Sequence, residues 1–190
     1  MLYTIVVWGD KKENLFSKNL ARALALLGKT VLINDAVTEL GAENAAGTEF
    51  VIFDTDNISA INSSSAIVAV KDRTDESFAN WKGLASPLLI NSENTNGLSL
   101  LVNHEIAAIT CGLSTKDSIT LSSCAEGRAV ISVQRFIKKL NGEIFEPMEY
   151  PLALGGIPIY HSLALFGILL LCGIEQEFGR PELVFRAKIL

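Results

Sequence analysis

Residues 4–35, TIVVWGDKKENLFSKNLARALALLGKTVLIND, constrain the fold more than any other stretch of the chain. Tyr3–Trp8 is an apolar, β-branched run and predicts a buried strand. Glu13–Leu27 carries Leu15, Phe16, Leu20, Ala23, Leu24 and Leu27 at spacings of three and four, one core-facing stripe of a helix. Gly28 follows where a left-handed residue ends many helices. Thr30–Asn34 then predicts a second strand. A strand, a helix and a strand in such quick succession predict a parallel pair joined by a right-handed crossover.

The pattern continues. Glu49–Phe53, Ala66–Val70, Pro87–Asn91 and Glu105–Thr110 predict further short strands, with helices over Asp75–Leu84 and Asn96–Val102. Strands alternating with short helices argue for an open, mostly parallel sheet flanked by helices, a Rossmann-like α/β fold. From about residue 116 the pattern changes. Ser118–Ser122, Ala129–Gln134 and Glu143–Tyr150 alternate apolar with polar, separated by Glu126-Gly127 and Asn141-Gly142. Asn-Gly is a strong hairpin signal, so an antiparallel meander is expected. The chain closes with a helix over about His161–Cys172 and an irregular tail, Phe178–Leu190. We expect one domain over 1–190: a parallel part (1–115), a meander (116–152), and a C-terminal helix and tail (153–190).

Bulk properties narrow the function. Hydrophobic residues make up 49% of the chain and charged residues 19%, a globular composition rather than a disordered one. The net charge of −5 gives a nucleic-acid partner no electrostatic support. Residues 163–174, LALFGILLLCGI, are apolar but fall short of the roughly 20 residues a membrane helix needs. They read as a buried helix. Cys111, Cys124 and Cys172 fit no zinc spacing. Cys111 and Cys172 sit in apolar runs as small core residues, consistent with a reducing cytosol. The N-terminus lacks the basic region of a signal peptide, so a cytoplasmic location is expected.

The loop after the first strand is the main site candidate. A phosphate-cradling Gly-x-x-x-x-Gly-Lys-Ser/Thr would sit here. The residues are instead Gly9-Asp10-Lys11-Lys12-Glu13-Asn14-Leu15-Phe16, with one glycine and no Gly-Lys-Ser. Helix N-termini attract anions through free N–H groups. Gly9, Asp10, Lys11, Lys12 and Asn14 are therefore candidate anion- or nucleotide-binding residues. The alternative is a plain capped helix whose start is satisfied by Asp10 or Glu13. Gly28-Lys29-Thr30 is not the missing motif, because it ends a helix and opens a strand.

Asp54 and Asp56 follow the apolar run 50–53, a place where nucleotide enzymes hold magnesium. An acidic turn is the simpler reading. Asn91 also follows a strand, at the edge where open α/β sheets bind ligands. His104 and His161 are the only histidines; His161 opens the apolar helix and is a candidate polar cleft residue, or a residue bonded near the helix start. No serine lies in a Gly-x-Ser-x-Gly elbow, so a hydrolase triad has no support.

Three segments in order resemble one family. Residues 4–35 are similar to the start of the central, ATP-binding domain of Mur ligases, the peptidoglycan-precursor amide ligases. They also look like the MinD/ParA group of P-loop ATPases. Leu88–Asn94 followed by Ala107–Ser114 resembles a second pair of Mur-ligase strands. Gly155-Gly156-Ile157-Pro158-Ile159-Tyr160-His161-Ser162-Leu163-Ala164 resembles the family's Gly-x-His-Asn-x-x-Asn-x-x-Ala helix start.

The resemblance implies an ATP-handling α/β domain, yet the residues depart from it at both motifs. The P-loop Lys and Ser/Thr are absent. Ile157-Pro158 replace the His-Asn pair, and His161 replaces the later Asn. Asp54 falls about where the family has a metal-binding Glu. Phosphoryl transfer depends on the loop, its lysine and Mg²⁺. No catalytic residue, resident metal or cofactor is therefore expected, and a Mg-nucleotide belongs only to the alternative in which the cleft is retained. The expectation is a non-catalytic domain that recognises a protein partner or itself.

Overall fold

The computed structural model describes residues 1–34, 37–40, 49–56, 66–72, 74, 86–103, 105–125, 128–153 and 157–179. The chain divides into two compact units, Met1–Ile109 and Thr110–Leu190. The helix expected over 75–84, the Glu126-Gly127 turn, His104, the Gly155-Gly156 pair and the tail beyond 179 lie outside the described residues.

In the first unit, strands β1 (Leu2–Trp8), β2 (Lys29–Ile33), β4 (Glu49–Thr55), β5 (Ala66–Val70) and β6 (Leu88–Asn91) are parallel. β1 and β2 do not touch: β4 lies between them and pairs with both. β3 (Val37–Leu40), which no sequence signal predicted, adds an antiparallel partner to β2. The fold is thus α/β with a mostly parallel sheet, as expected. β5 is buried at every position, as a strand covered on both faces must be.

Helix α1 spans Leu15–Leu24, shorter than the expected Glu13–Leu27. Its last carbonyls are taken by a tightened turn, in which Leu26, Leu27 and Gly28 donate to Ala23 and Leu24. Gly28 is not among the residues with positive φ, so the turn closes without the left-handed glycine that was expected. Phe16, Leu20, Ala23 and Leu24 face the core as the spacing implied, whereas Leu15 is exposed. Helix α2 spans Thr95–Asn103. Ile106 donates to Leu101, and Glu105 turns the chain with a φ of 55°. That left-handed turn delays the next strand, which runs over Ile109–Gly112 (β7) and not from Glu105.

The second unit holds the expected meander. β8 (Ile119–Ala125), β9 (Arg128–Val133) and β12 (Met148–Ala153) pair antiparallel in that order. β8 also makes a short parallel pairing with β7. The expected strand Glu143–Tyr150 is split. Its first part, β11 (Ile144–Phe145), pairs with β10 (Ile137–Lys138) in a small hairpin. Asn141-Gly142 forms the turn, with Gly142 at φ 89°. Helix α3 (Ile159–Cys172) is buried from Tyr160 to Cys172, as a helix apolar on all sides must be. Gly173 ends it at φ 73°, and Leu140 donates to the Leu171 carbonyl. Among the described residues no helix is long and apolar enough to cross a membrane. A short 3₁₀ helix over Glu175–Gly179 precedes the expected tail and takes in its first two residues.

Candidate functional site

The carboxyl ends of β1, β4, β5 and β6 bring together most of the residues nominated from sequence. This edge is where open α/β sheets bind ligands. At the end of β1, buried Gly9 adopts φ 147° and donates to the Thr55 carbonyl. Asp10 then folds the loop on itself: its Oδ1 accepts from the Lys12 N–H at 2.9 Å, and its carbonyl accepts from the Glu13 N–H at 3.0 Å. Lys11 and Lys12 are exposed. Asn14 is the N-cap of α1 but makes no side-chain capping bond. Asp10 instead takes up the Lys12 and Glu13 N–H groups just ahead of the helix. The Asn14 carbonyl accepts from Ser17 Oγ and from the Lys18 N–H.

The centre of the site is a residue the sequence reading did not single out. Lys71, directly after β5, has no exposed side chain. Its Nζ donates to Asp54 Oδ1 at 2.5 Å and to the Asp10 carbonyl at 2.9 Å. The other Asp54 oxygen accepts from Ser17 Oγ. Asp54 is neither in a turn nor past the strand: β4 runs on to Thr55, and the carboxylate is buried on the α1 side. Lys71 is itself held at both ends of its backbone. Its N–H donates to the Trp8 carbonyl at 2.7 Å, and its carbonyl accepts from Asn94 Nδ2 at 2.9 Å. Asn94 Oδ1 in turn accepts from the Gly97 N–H in the first turn of α2.

Burying two charges is tolerable only when each finds a partner and the remaining donors and acceptors are met. Asp54 has a partner on each oxygen, and Lys71 spends two of its three donors on Asp54 and the loop backbone. The ammonium thereby ties β4 and the end of β5 to the Gly9–Asn14 loop, and Asp54 adds α1 through Ser17. The sequence signal was faint but present: a lysine continuing a strand with no polar residue, and a serine on the apolar face of α1.

The other nominated residues lie around this centre or apart from it. Asp56 is exposed beyond β4, and its carbonyl accepts from the Trp8 indole at 3.3 Å. Asn91 ends β6, donates to Asp72 Oδ1 at 2.6 Å and accepts from the Glu93 N–H in a local turn. His161 is in the second unit, buried in the first turn of α3, with its ring edge-on to Tyr160. Cys111 and Cys172 are buried and not in a disulfide, as their apolar settings implied.

No family model matches the sequence, and no curated protein matches it. Solved structures do share its fold. One is a ligand-free bifunctional folylpolyglutamate synthase/dihydrofolate synthase from Yersinia pestis, with 10% identity over 89% of this chain and a TM-score of 0.51. Another is the UDP-N-acetylmuramate:L-alanyl-gamma-D-glutamyl-meso-diaminopimelate ligase from Neisseria meningitides, with 8% identity over 92% of this chain and a TM-score of 0.52. The chain spans 54% and 62% of their respective lengths. At such identities the likeness is one of fold: the architecture is Mur-ligase-like.

Proposed function

We propose that this Mur-ligase-like fold is a non-catalytic domain, a protein-interaction or regulatory module whose nucleotide loop has been closed from within. One observation carries the reading: the Lys71 ammonium, wholly buried, is paired with Asp54 and bonded to the Asp10 carbonyl of the loop. In a working phosphate loop the lysine, the hydroxyl and the acid meet the nucleotide and its magnesium. Here a lysine, a hydroxyl and an acid meet one another. A Mg-nucleotide does not fit these residues, because Asp54 already has a partner on each oxygen and the loop offers no Gly-Lys-Ser. We place the chain nearer to Mur ligases than to the MinD/ParA group, since the likeness runs beyond the first third.

A protein partner or a second copy is the proposed target, in the cytoplasm and possessing a link to cell-envelope synthesis by analogy of fold. The net charge of −5 argues against nucleic acid. A second reading keeps an anion site at the loop. It is favoured by the absence of a side-chain cap on α1 and by exposed Lys11 and Lys12. Calorimetric titration with ATP, ADP and a UDP-sugar, with and without Mg²⁺, separates the two. No heat of binding is expected. Saturable micromolar binding that weakens in Lys12→Ala would replace the first reading with the second.

A further inference from the structure

The sheet of the first unit is covered unevenly. On one face Ile5, Thr30, Leu32, Phe50, Ile52 and Asp54 are buried, and α1 packs there against β2 and β4. On the other face Val6, Trp8, Val68, Val70, Leu88, Ile90 and Leu101 form a core cluster over β1, β5 and β6, with Leu98 and Ile106 of the α2 region against it. The remaining part of that second face, over β2 and β4, is different. Phe53 is 39% exposed, Val31, Ile33 and Val51 are only partly buried, and Lys29 and Glu49 are exposed.

Strand register fixes how these six side chains are arranged. Lys29 pairs with Glu49, Val31 with Val51 and Ile33 with Phe53. Register partners on parallel strands share a face, so the six form three rows. The end row holds one cation on β2 and one anion on β4, and the next two rows are apolar.

We infer that this face binds a second copy of the chain, sheet on sheet. The warrant is complementarity of the patch with itself. A two-fold axis running parallel to the strands, midway between β2 and β4, lays β2 of one copy over β4 of the other. Lys29 then meets the partner's Glu49, and Glu49 meets the partner's Lys29. Val31 faces the partner's Val51, and Ile33 faces the partner's Phe53. Aligned sheets pack in this way at about 10 Å, with the strands of the two sheets within roughly 30°. A closed two-fold interface of this kind uses the same patch on both copies. The inference rests on the reading of the chain as an interaction module. The nucleotide titration tests that reading separately and is untouched by the outcome here.

Light-scattering mass across a dilution series tests it. The wild type is expected to move between the mass of one chain and of two. Lys29→Glu makes the end row wholly acidic and Glu49→Lys makes it wholly basic, so each variant alone should weaken association by about tenfold or more. An equimolar mixture of the two variants should recover association as a mixed dimer, which a folding defect cannot produce. Phe53→Asp should give a monomer with an unchanged circular dichroism spectrum. A wild type that stays at the mass of one chain overturns the inference. Association that neither charge variant weakens, or that the mixture fails to restore, overturns it as well.

Discussion

At the scale of single residues, the pair Lys71–Asp54 sets the character of the molecule. A buried ion pair is weak evidence of net stability, yet removing one partner leaves the other charge stranded. Lys71→Met is therefore expected to lower the unfolding free energy by about 3–5 kcal/mol, measured by urea denaturation. Lys71→Met combined with Asp54→Leu should recover much of that loss, since no buried charge remains. The buried thiols make a second claim. Burial pushes the Cys172 thiol up to about 12. Burial, and then the charge of Asp117, pushes Cys111 well above the usual thiol range. In the unfolded chain these groups ionise at ordinary values of about 8.5. Between those values the unfolded state holds fewer protons than the native state, so stability is intact below the ordinary thiol range and falls as pH rises toward 12. Each thiol contributes a slope of about −1.4 kcal/mol per pH unit in that window. Cys172→Ala should flatten the alkaline limb of a stability–pH curve by that amount.

At the scale of elements, the sequence announced strands and helices by their periodicity and misplaced their ends. The stripe from Phe16 to Leu24 identified α1, but Leu26 and Leu27 belong to its closing turn, because local carbonyl acceptors and not apolar spacing decide where a helix stops. Glu143–Tyr150 read as one strand, because alternation does not reveal that Ile144 pairs with β10 and Tyr150 with β9. β3 had no signal to find: it is an edge strand of four residues held by its pairing with β2. Asn141-Gly142, by contrast, was legible, because the turn needs a residue at positive φ and only a few side chains permit one. Gly173 offers a test of that reasoning. A methyl group there would meet nothing nearer than 3.9 Å, so any cost of Gly173→Ala comes from the left-handed backbone alone. We expect a loss of about 1–2 kcal/mol, read from the thermal unfolding of α3 and its unit.

At the scale of the whole molecule, the chain shares a fold with the two solved structures compared while spanning 54% and 62% of their lengths. The architecture was readable because alternating strands and helices leave few topologies open. The candidate site was readable only in part. Gly9 and Asp10 were nominated from the loop ahead of a helix start, Asp54 from the end of a parallel strand, and Asn91 from the sheet edge where such folds bind ligands. Lys71 and Ser17 were missed because neither belongs to a recognisable motif, and only the pairing of β5 beside β1 carries the ammonium to the loop. The central claim is that this ammonium takes the place of a ligand. Nitrogen-15 NMR of the lysine ammonium groups, recorded while MgATP is added, tests it most directly. The account predicts one ammonium resonance, lost in Lys71→Met, that exchanges slowly with water and does not move as MgATP is added. A Lys71 signal that exchanges like the surface lysines, or that shifts saturably with nucleotide, would contradict it.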